Sequence, residues 1–265
     1  MASEQNRRLI RREERISRQQ QSRRLEILDV ARELLSRNGI DRFNMEAVAE
    51  EGGYSRTSIY RYFSSKEDLV MDLAIESLEL RVELYRRVQA FDARPRERAV
   101  AFGEVTSLLY PQHTLAEVFG STRAVREGAT PERTERVSSL EKEQGDIVFT
   151  VAREAVDGGD WVLAPDLTLE EALFGLSAMT RGLFERLASP LPPDHIRDPR
   201  RLQRSMGWRL LDSLQWRPLS SEWDYAATMR RIHTELFPPQ LRATLGLGDE
   251  GETPPGRTGA VARRR

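Results

Sequence analysis

The sequence predicts an all-helical protein, and three observations carry that expectation. Apolar residues recur at spacings of three and four, as in Leu25, Leu28, Ala31, Leu34 and Leu35, the period of a helix with one buried face. Capping residues stand directly before such runs, at Asn44, Ser55, Ser64, Thr130, Thr168 and Asp198, where a side-chain oxygen can satisfy a free helical N–H. Glycine or proline pairs close the runs, at Gly52-Gly53, Gly158-Gly159 and Pro238-Pro239. No stretch has the sustained two-residue alternation of a half-buried strand.

At 265 residues the chain is long enough for one large or two modest cores. It has no cysteine, which excludes disulfides, thiolate metal sites and cysteine redox chemistry. No apolar run approaches the ~20 residues of a membrane span, and the arginine-rich N-terminus lacks a signal-peptide core. A soluble, cytoplasmic protein with no membrane partner is expected. The net charge of −1 hides an asymmetry: residues 1–66 carry fourteen Lys or Arg against ten Asp or Glu, leaving 27 against 32 beyond. A basic head on an acidic body fits a DNA-binding end.

Residues 1–20 hold many arginines and few apolar residues, and are expected to be a basic arm that is disordered or frays from the first helix. A solvated tail and an extra DNA contact through phosphates or the minor groove both remain open for it. The first packed helix should end near Asn38-Gly39. Then comes NMEAVAEEGGYSRTSIYRYF, Asn44 to Phe63. Asn44 caps a short helix with Met45, Val48 and Ala49 on its apolar side; Gly52 and Gly53 end it. Ser55 caps a second helix held by Ile59 and Phe63, four apart. Between those anchors lie Arg56, Thr57, Ser58, Tyr60, Arg61 and Tyr62, hydrogen-bonding groups without apolar partners. That is the layout of a helix-turn-helix, whose second helix enters the major groove. Ser64 to Glu67 reads as a capping box that starts the next helix, with Lys66 in its positively polarised first turn, suited to a phosphate.

The run GIDRFNMEAVAEEGGYSRTSIYRYFSSKEDLVMDL closely resembles the DNA-binding domain of the TetR family of bacterial regulators. The resemblance covers about residues 21–81, and the spacing of Tyr60, Tyr62, Phe63 and Lys66 is its most specific part. Gly52 stands where the family usually has alanine, and Thr57 where it often has glycine. Gly52 should cost the first helix about 0.5–1 kcal/mol.

Beyond the head, helices are expected from Lys66 to about Phe91, from Pro95 to near Tyr110, from Leu115 to Glu127, and from Pro131 to Asp157. Thr168 to Glu171 forms another capping box, opening a helix that ends near Ser189-Pro190. Asp198-Pro199 starts one reaching Trp216, and a last helix runs from Ser221 to Phe237. Residues 82–245 thus make a helical regulatory and dimerisation domain, and 246–265 a disordered tail. Gly175, Ala178 and Gly182 form a narrow strip of small residues that lets a second helix approach, and Leu202, Met206 and Leu210 line the next helix. The resemblance implies that a late helix pair meets its twin in a four-helix dimer interface. A neighbour within one subunit would serve the same strip.

Catalysis has no support in the sequence: the three histidines, His113, His195 and His233, are scattered, and there is no phosphate loop or metal-ligand spacing. No cofactor and no metal are expected. The resemblance implies a ligand pocket in the helical body, with Phe102, Tyr110, His113, Phe119, Phe149, Phe174 and Arg181 as candidates by residue type. Core packing is the commoner role for residues of these types, and a polar residue such as His113 or Arg181 is a better candidate than any phenylalanine. The resulting expectation is a homodimeric repressor that binds palindromic double-stranded DNA and is released by an unknown small-molecule effector. Arg56, Thr57, Ser58, Tyr60 and Arg61 would read bases, while Asn44, Ser55, Tyr60, Tyr62 and Lys66 would hold phosphates. An activator of the same fold, or a helical ligand-binding module without specific DNA binding, stays open.

Overall fold

The computed structural model describes residues 2–110, 112–187, 196 and 198–245. Twelve α-helices are present among them: α1 Ala2–Arg42, α2 Met45–Glu51, α3 Arg56–Tyr60, α4 Lys66–Gln89, α5 Pro95–Leu109, α6 Thr114–Gly120, α7 Arg123–Gly128, α8 Pro131–Asp157, α9 Leu169–Leu187, α10 Pro199–Ser213, α11 Tyr225–Arg231 and α12 Pro239–Thr244. A π-helical turn, Ile232–Leu236, joins the last two. Among the described residues the extended structure is one isolated bridge between Trp161 and Trp216. The expected all-helical fold is what forms.

The chain divides into two compact units, residues 1–77 with 111–138, and residues 78–110 with 139–265. The first unit is the head. Its core gathers Ile27, Leu28, Ala31 and Leu35 of α1, Val48 of α2, Ile59 of α3, Phe63, and Leu69 and Leu73 of α4, all fully or almost fully buried. This compact unit adds α6, α7 and the start of α8 to most of the segment 21–81 expected for the DNA-binding domain. A Cβ at Gly120 would sit 2.7 Å from that of Ala74, so only glycine lets α6 lie this close to α4.

An ionic ladder completes the head. Asp68, Asp72 and Glu76 occupy successive turns of α4. Arg32 of α1 reaches Glu76 at 2.5 Å and Arg24 reaches Asp72 at 2.9 Å. Arg133 of α8 grips Asp72 with two bonds of 3.0 Å, while Asp68 accepts the Thr130 N–H at 2.8 Å. Asp68 and Asp72 are almost wholly buried. Burial pushes the Asp68 carboxyl up, but bonds from Ser64 and Thr130 and the charge of Arg133 outweigh it and hold it below the ordinary range. For Glu76 burial wins over Arg32, and its carboxyl is pushed up.

The second unit is built on α5. Arg96 is fully buried and donates to the Trp216 carbonyl and to Asp212, and Trp216 stacks on Trp161 at 4.4 Å, 6° from parallel. Glu104, buried on the next turns, accepts two 2.6 Å bonds from Arg204 of α10 and lies 3.2 Å from the His233 ring. Burial raises the Glu104 pKa, yet the bonds from His233 and Arg204 prevail and lower it.

Several sequence expectations need correction. Residues 2–20, expected as a disordered or fraying arm, are helical and continuous with α1; Arg, Gln and Glu are strong helix formers, and no Gly or Pro precedes Gly39. Gly39 does break the helix, at φ 69°, ψ 178°. The box before α4 is shifted by one residue: Ser65 caps the Asp68 N–H at 3.0 Å, because the helix starts at Lys66. The single helix expected from Leu115 to Glu127 is two, parted where the Ser121 and Thr122 hydroxyls bond back to the carbonyls of Val118 and Phe119 at 2.7 Å. The Asp198 helix ends at Ser213, short of Trp216, whose ring turns in to stack. The last helix starts at Tyr225, capped by Asp224, and another follows Pro238. The expected helix end at Ser189-Pro190, His195 and the tail 246–265 lie outside the described residues. The Thr168 box forms as expected, Glu171 accepting the Thr168 N–H at 2.8 Å.

Arg133→Ala leaves Asp68 and Asp72 buried with fewer partners and is expected to cost on the order of 3 kcal/mol, measurable by urea unfolding. The lowered Glu104 pKa adds stability that is full above the ordinary carboxylate pKa, about 4.3, and is lost as pH falls through the folded value. Glu104→Gln should therefore flatten the loss of stability below about pH 4, read from unfolding midpoints across pH.

Candidate nucleic-acid interface

Two short helices joined by a tight turn build the site. Asn44 is extended, at φ −151°, and its side chain accepts the Ala47 N–H at 2.8 Å. Met45, Val48 and Ala49 are buried beneath α2. Gly53 takes φ +64°, a conformation that favours glycine. Gly52 is the C-cap of α2 and not an interior position, so the expected helix penalty does not apply there. A Cβ at Gly52 would overlap the Tyr54 ring, which packs into that space and carries the Arg23 guanidinium 4.5 Å above it.

Ser55 caps α3, accepting the Ser58 N–H at 3.2 Å. Ile59 is fully buried and fixes how α3 lies on the head. Opposite it, Arg56, Thr57, Tyr60 and Arg61 are exposed. Tyr60 is 48% exposed, a large ring left uncovered on an otherwise polar face. Arg56 lies 2.9 Å from Glu46 of α2, a partner that sequence spacing did not reveal because the two residues stand on different helices. Arg61 donates to the Tyr62 hydroxyl at 3.3 Å and lies over its ring.

Not every expected residue is presented outward. Ser58 is half-buried and its hydroxyl bonds that of Ser55 at 2.9 Å, so it serves the cap. Lys66 donates to the Ile40 carbonyl at 3.0 Å, tying α4 to the end of α1. The sequence also missed an open polar groove beside α3, lined by Gln19, Gln20, Ser22, Arg23 and Glu26 of α1 with Arg61 and Tyr62. Its α1 side was hidden by the expectation of an unfolded arm.

The expected ligand residues stand in different surroundings. Tyr110 is half-buried and His113, also half-buried, bonds Ser77 at 3.3 Å within the head. Phe102 and Phe119 are buried in packed cores, and Phe149 lies under Arg153 at 5.0 Å. Phe174 is 76% exposed, and Arg181 pairs with Glu185 on the outside of α9 at 2.9 Å. Neither lines an interior pocket. Of the small-residue strip, a Cβ at Gly175 or Gly182 would meet nothing within 4 Å, and Ala178 is exposed, so among the described residues no neighbour fills it. On α10, Met206 is exposed, with Leu202 and Leu210 half-buried. No metal-holding group of acids and histidines occurs among the described residues, and no helix among them is long and apolar enough to cross a membrane.

A capped two-helix reader with a polar face, seated on a helical head, defines a helix-turn-helix DNA-binding protein. Residues 27–73 match the family described as bacterial regulatory proteins, tetR family. The Fatty acid metabolism regulator protein of Bacillus subtilis is 24% identical over 159 residues, covering 59% of this chain and 80% of its own length. The HTH-type transcriptional repressor KstR2 of Mycobacterium tuberculosis is 25% identical over 157 residues, covering 59% and 77%. The solved structure of KstR2, a ketosteroid transcriptional regulator, has the same fold, with a TM-score of 0.55 at 22% identity over 72% of this chain and 94% of that one. FadR from Bacillus subtilis in complex with stearoyl-CoA gives 0.51 at 20% identity, over 72% and 96%. Residues 27–73 thus match the tetR-family DNA-binding segment, and the fold of the chain is that of these solved regulators.

Asn44→Ala removes the cap on α2 and is expected to lower stability by about 1 kcal/mol, seen as a lower thermal midpoint with the helix content otherwise kept.

Proposed function

We propose that this protein is a homodimeric repressor that binds a palindromic operator and is released by a small molecule. The observation that carries the reading is the face of α3: Arg56, Thr57, Tyr60 and Arg61 exposed opposite the buried Ile59. Arg56 leaves Glu46 to reach a guanine edge bidentately, and Thr57 meets a thymine methyl or a base edge. Asn44, Ser55, Tyr60 and Tyr62 hold the backbone and set the register. Lys66 positions α4 through Ile40 and adds charge near a phosphate, and Ser58 acts through the Ser55 cap.

The dimer surface is α9 with α10. Gly175, Ala178, Met179 and Gly182 share one side of α9. Met179 is 57% and nearby Phe174 76% exposed, more apolar surface than a lone helix leaves to water without reason. The open space over Gly175 and Gly182 suits the close approach of a second helix. Met206, with Leu202 and Leu210, continues the surface on α10. Two-fold pairing of two heads sets half-sites about one DNA turn, roughly 34–36 Å, apart.

For the effector, the polar group Arg81, Tyr85 and Thr106 inside the body is better placed than Phe174 or Arg181. Arg81 donates to the Thr106 hydroxyl at 3.0 Å, and Tyr85 lies 3.4 Å from it. Ser107 beside them is buried with no partner for its hydroxyl. Such groups in an apolar interior fit a ligand with a long apolar part and a polar end. The relatives named for fatty acid metabolism and for ketosteroid regulation make lipid-derived thioesters and steroids the first compounds to test. Release requires the effector to bind the DNA-free form more tightly than the DNA-bound form.

Selection of DNA from a random pool by the purified protein should return a palindrome, and a reporter behind it should fall when the protein is expressed. Arg56→Ala should lose about 1–3 kcal/mol of binding and relax preference at one base position; equal loss on every sequence would remove Arg56 from base reading. Ala178→Glu with Gly182→Leu should give a monomer in sedimentation and lose tight operator binding, whereas an intact dimer would place the interface elsewhere.

A further inference from the structure

We propose that the N-terminal half of α1 is a second DNA-binding surface, laying an arginine stripe along phosphates outside the sequence that α3 reads. The inference rests on the reading of the head as a DNA-binding domain. It starts from continuity. Residues 2–38 run as one helix into the packed part of α1, with non-helical backbone first at Gly39. Ala2 to Arg24 then extends about 33 Å at 1.5 Å per residue, far enough to follow the backbone for most of a helical turn of DNA. The segment before Leu25 has eight arginines against three glutamates.

Helical phase gives the charge a direction. At 3.6 residues per turn, Arg8, Arg11, Arg12 and Arg15 fall on the same third of the helix as Gln19, Ser22 and Arg23; of the three glutamates, Glu13 and Glu14 fall off it and Glu4 falls on it. Gln19, Ser22 and Arg23 line the groove that α1 shares with Arg61 and Tyr62 at the exit of α3. By helical phase the positions of the stripe continue the face of α1 on which the groove residues stand. Arg23 is set over the Tyr54 ring at 4.5 Å, which fixes this side of α1 against the turn between α2 and α3. Leu9 and Ile16 share one side two turns apart and Ile10 stands about 100° away, too few apolar positions for the broad apolar face of a membrane-lying helix. A helical row of arginine positions leading into a DNA reader fits the phosphates flanking the half-site.

The test uses the full-length protein and its selected operator in two lengths, one ending at the read sequence and one extended by ten base pairs on each side. Wild type should bind the longer duplex more tightly and with a steeper dependence on salt. In the variant with Arg8→Gln, Arg11→Gln, Arg12→Gln and Arg15→Gln, the two lengths should bind alike, and the slope of log K against log salt should fall by about 0.9 for each lost phosphate contact. A second variant, with two alanines inserted between Ser17 and Arg18, keeps every charge but turns the stripe by about 200°; it should behave like the glutamine variant. Circular dichroism confirms that helix content is kept in both. Equal binding of both lengths by wild type overturns the proposal, as does full length preference in the insertion variant, which would mean a loose charged tail. Specific binding to the short duplex persists in every variant in either case; its absence in wild type would defeat the repressor reading instead.

Discussion

The head depends on carboxylates largely withdrawn from water, Asp68 and Asp72 almost wholly and Glu76 in part. Asp68, Asp72 and Glu76 of α4 are held by Arg24 and Arg32 from one side and by Arg133 with the Thr130 N–H from another. Taking charges out of water costs several kcal/mol per ion, and only bonds of fixed geometry offset that cost. The ladder adds little to net stability over an apolar core of the same shape. What it adds is register, since sliding α1 or α8 by one turn along α4 would strand a buried charge. Everything seated on α4, the reader included, inherits that register.

The same constraint makes the head discontinuous in sequence. Thr130 and Arg133 belong to a segment that follows α5, yet they pair with α4 beside the reader. Gly120 allows α6 to lie against Ala74 in the same unit. The helices α4 and α8 each contribute residues to both units. Position of the reader is thus set by ionic contacts made over long sequence separation, and the reader's chemistry by contacts made within a few residues.

That separation explains what was legible before any coordinates. Caps act over three residues, so Asn44, Ser55, Thr168 and Asp198 were readable directly, and each accepts the N–H expected of it. Buried anchors at helical spacing, such as Val48, Ile59 and Phe63, were readable for the same reason. Glu46 as the partner of Arg56 was not, because no local rule links two residues on different helices. Residue type alone likewise cannot separate Phe102, buried, from Phe174, exposed. The arm failed through composition, since arginine, glutamine and glutamate are common to disordered tails and to good helices.

By itself, then, the sequence determined the all-helical class, the reader and its polar cargo, because periodicity, capping and turn glycines are local physics written into neighbouring residues. Tertiary structure alone decided which cations remain on the surface. It committed Lys66 to Ile40 and Ser58 to Ser55, paired Arg133 with α4, and left Gly175 and Gly182 open. It also brought Gln19 and Arg23 beside Arg61. Those outcomes depend on distances between residues far apart in the chain, and a buried or half-buried charge takes whichever partner the packed fold brings within reach.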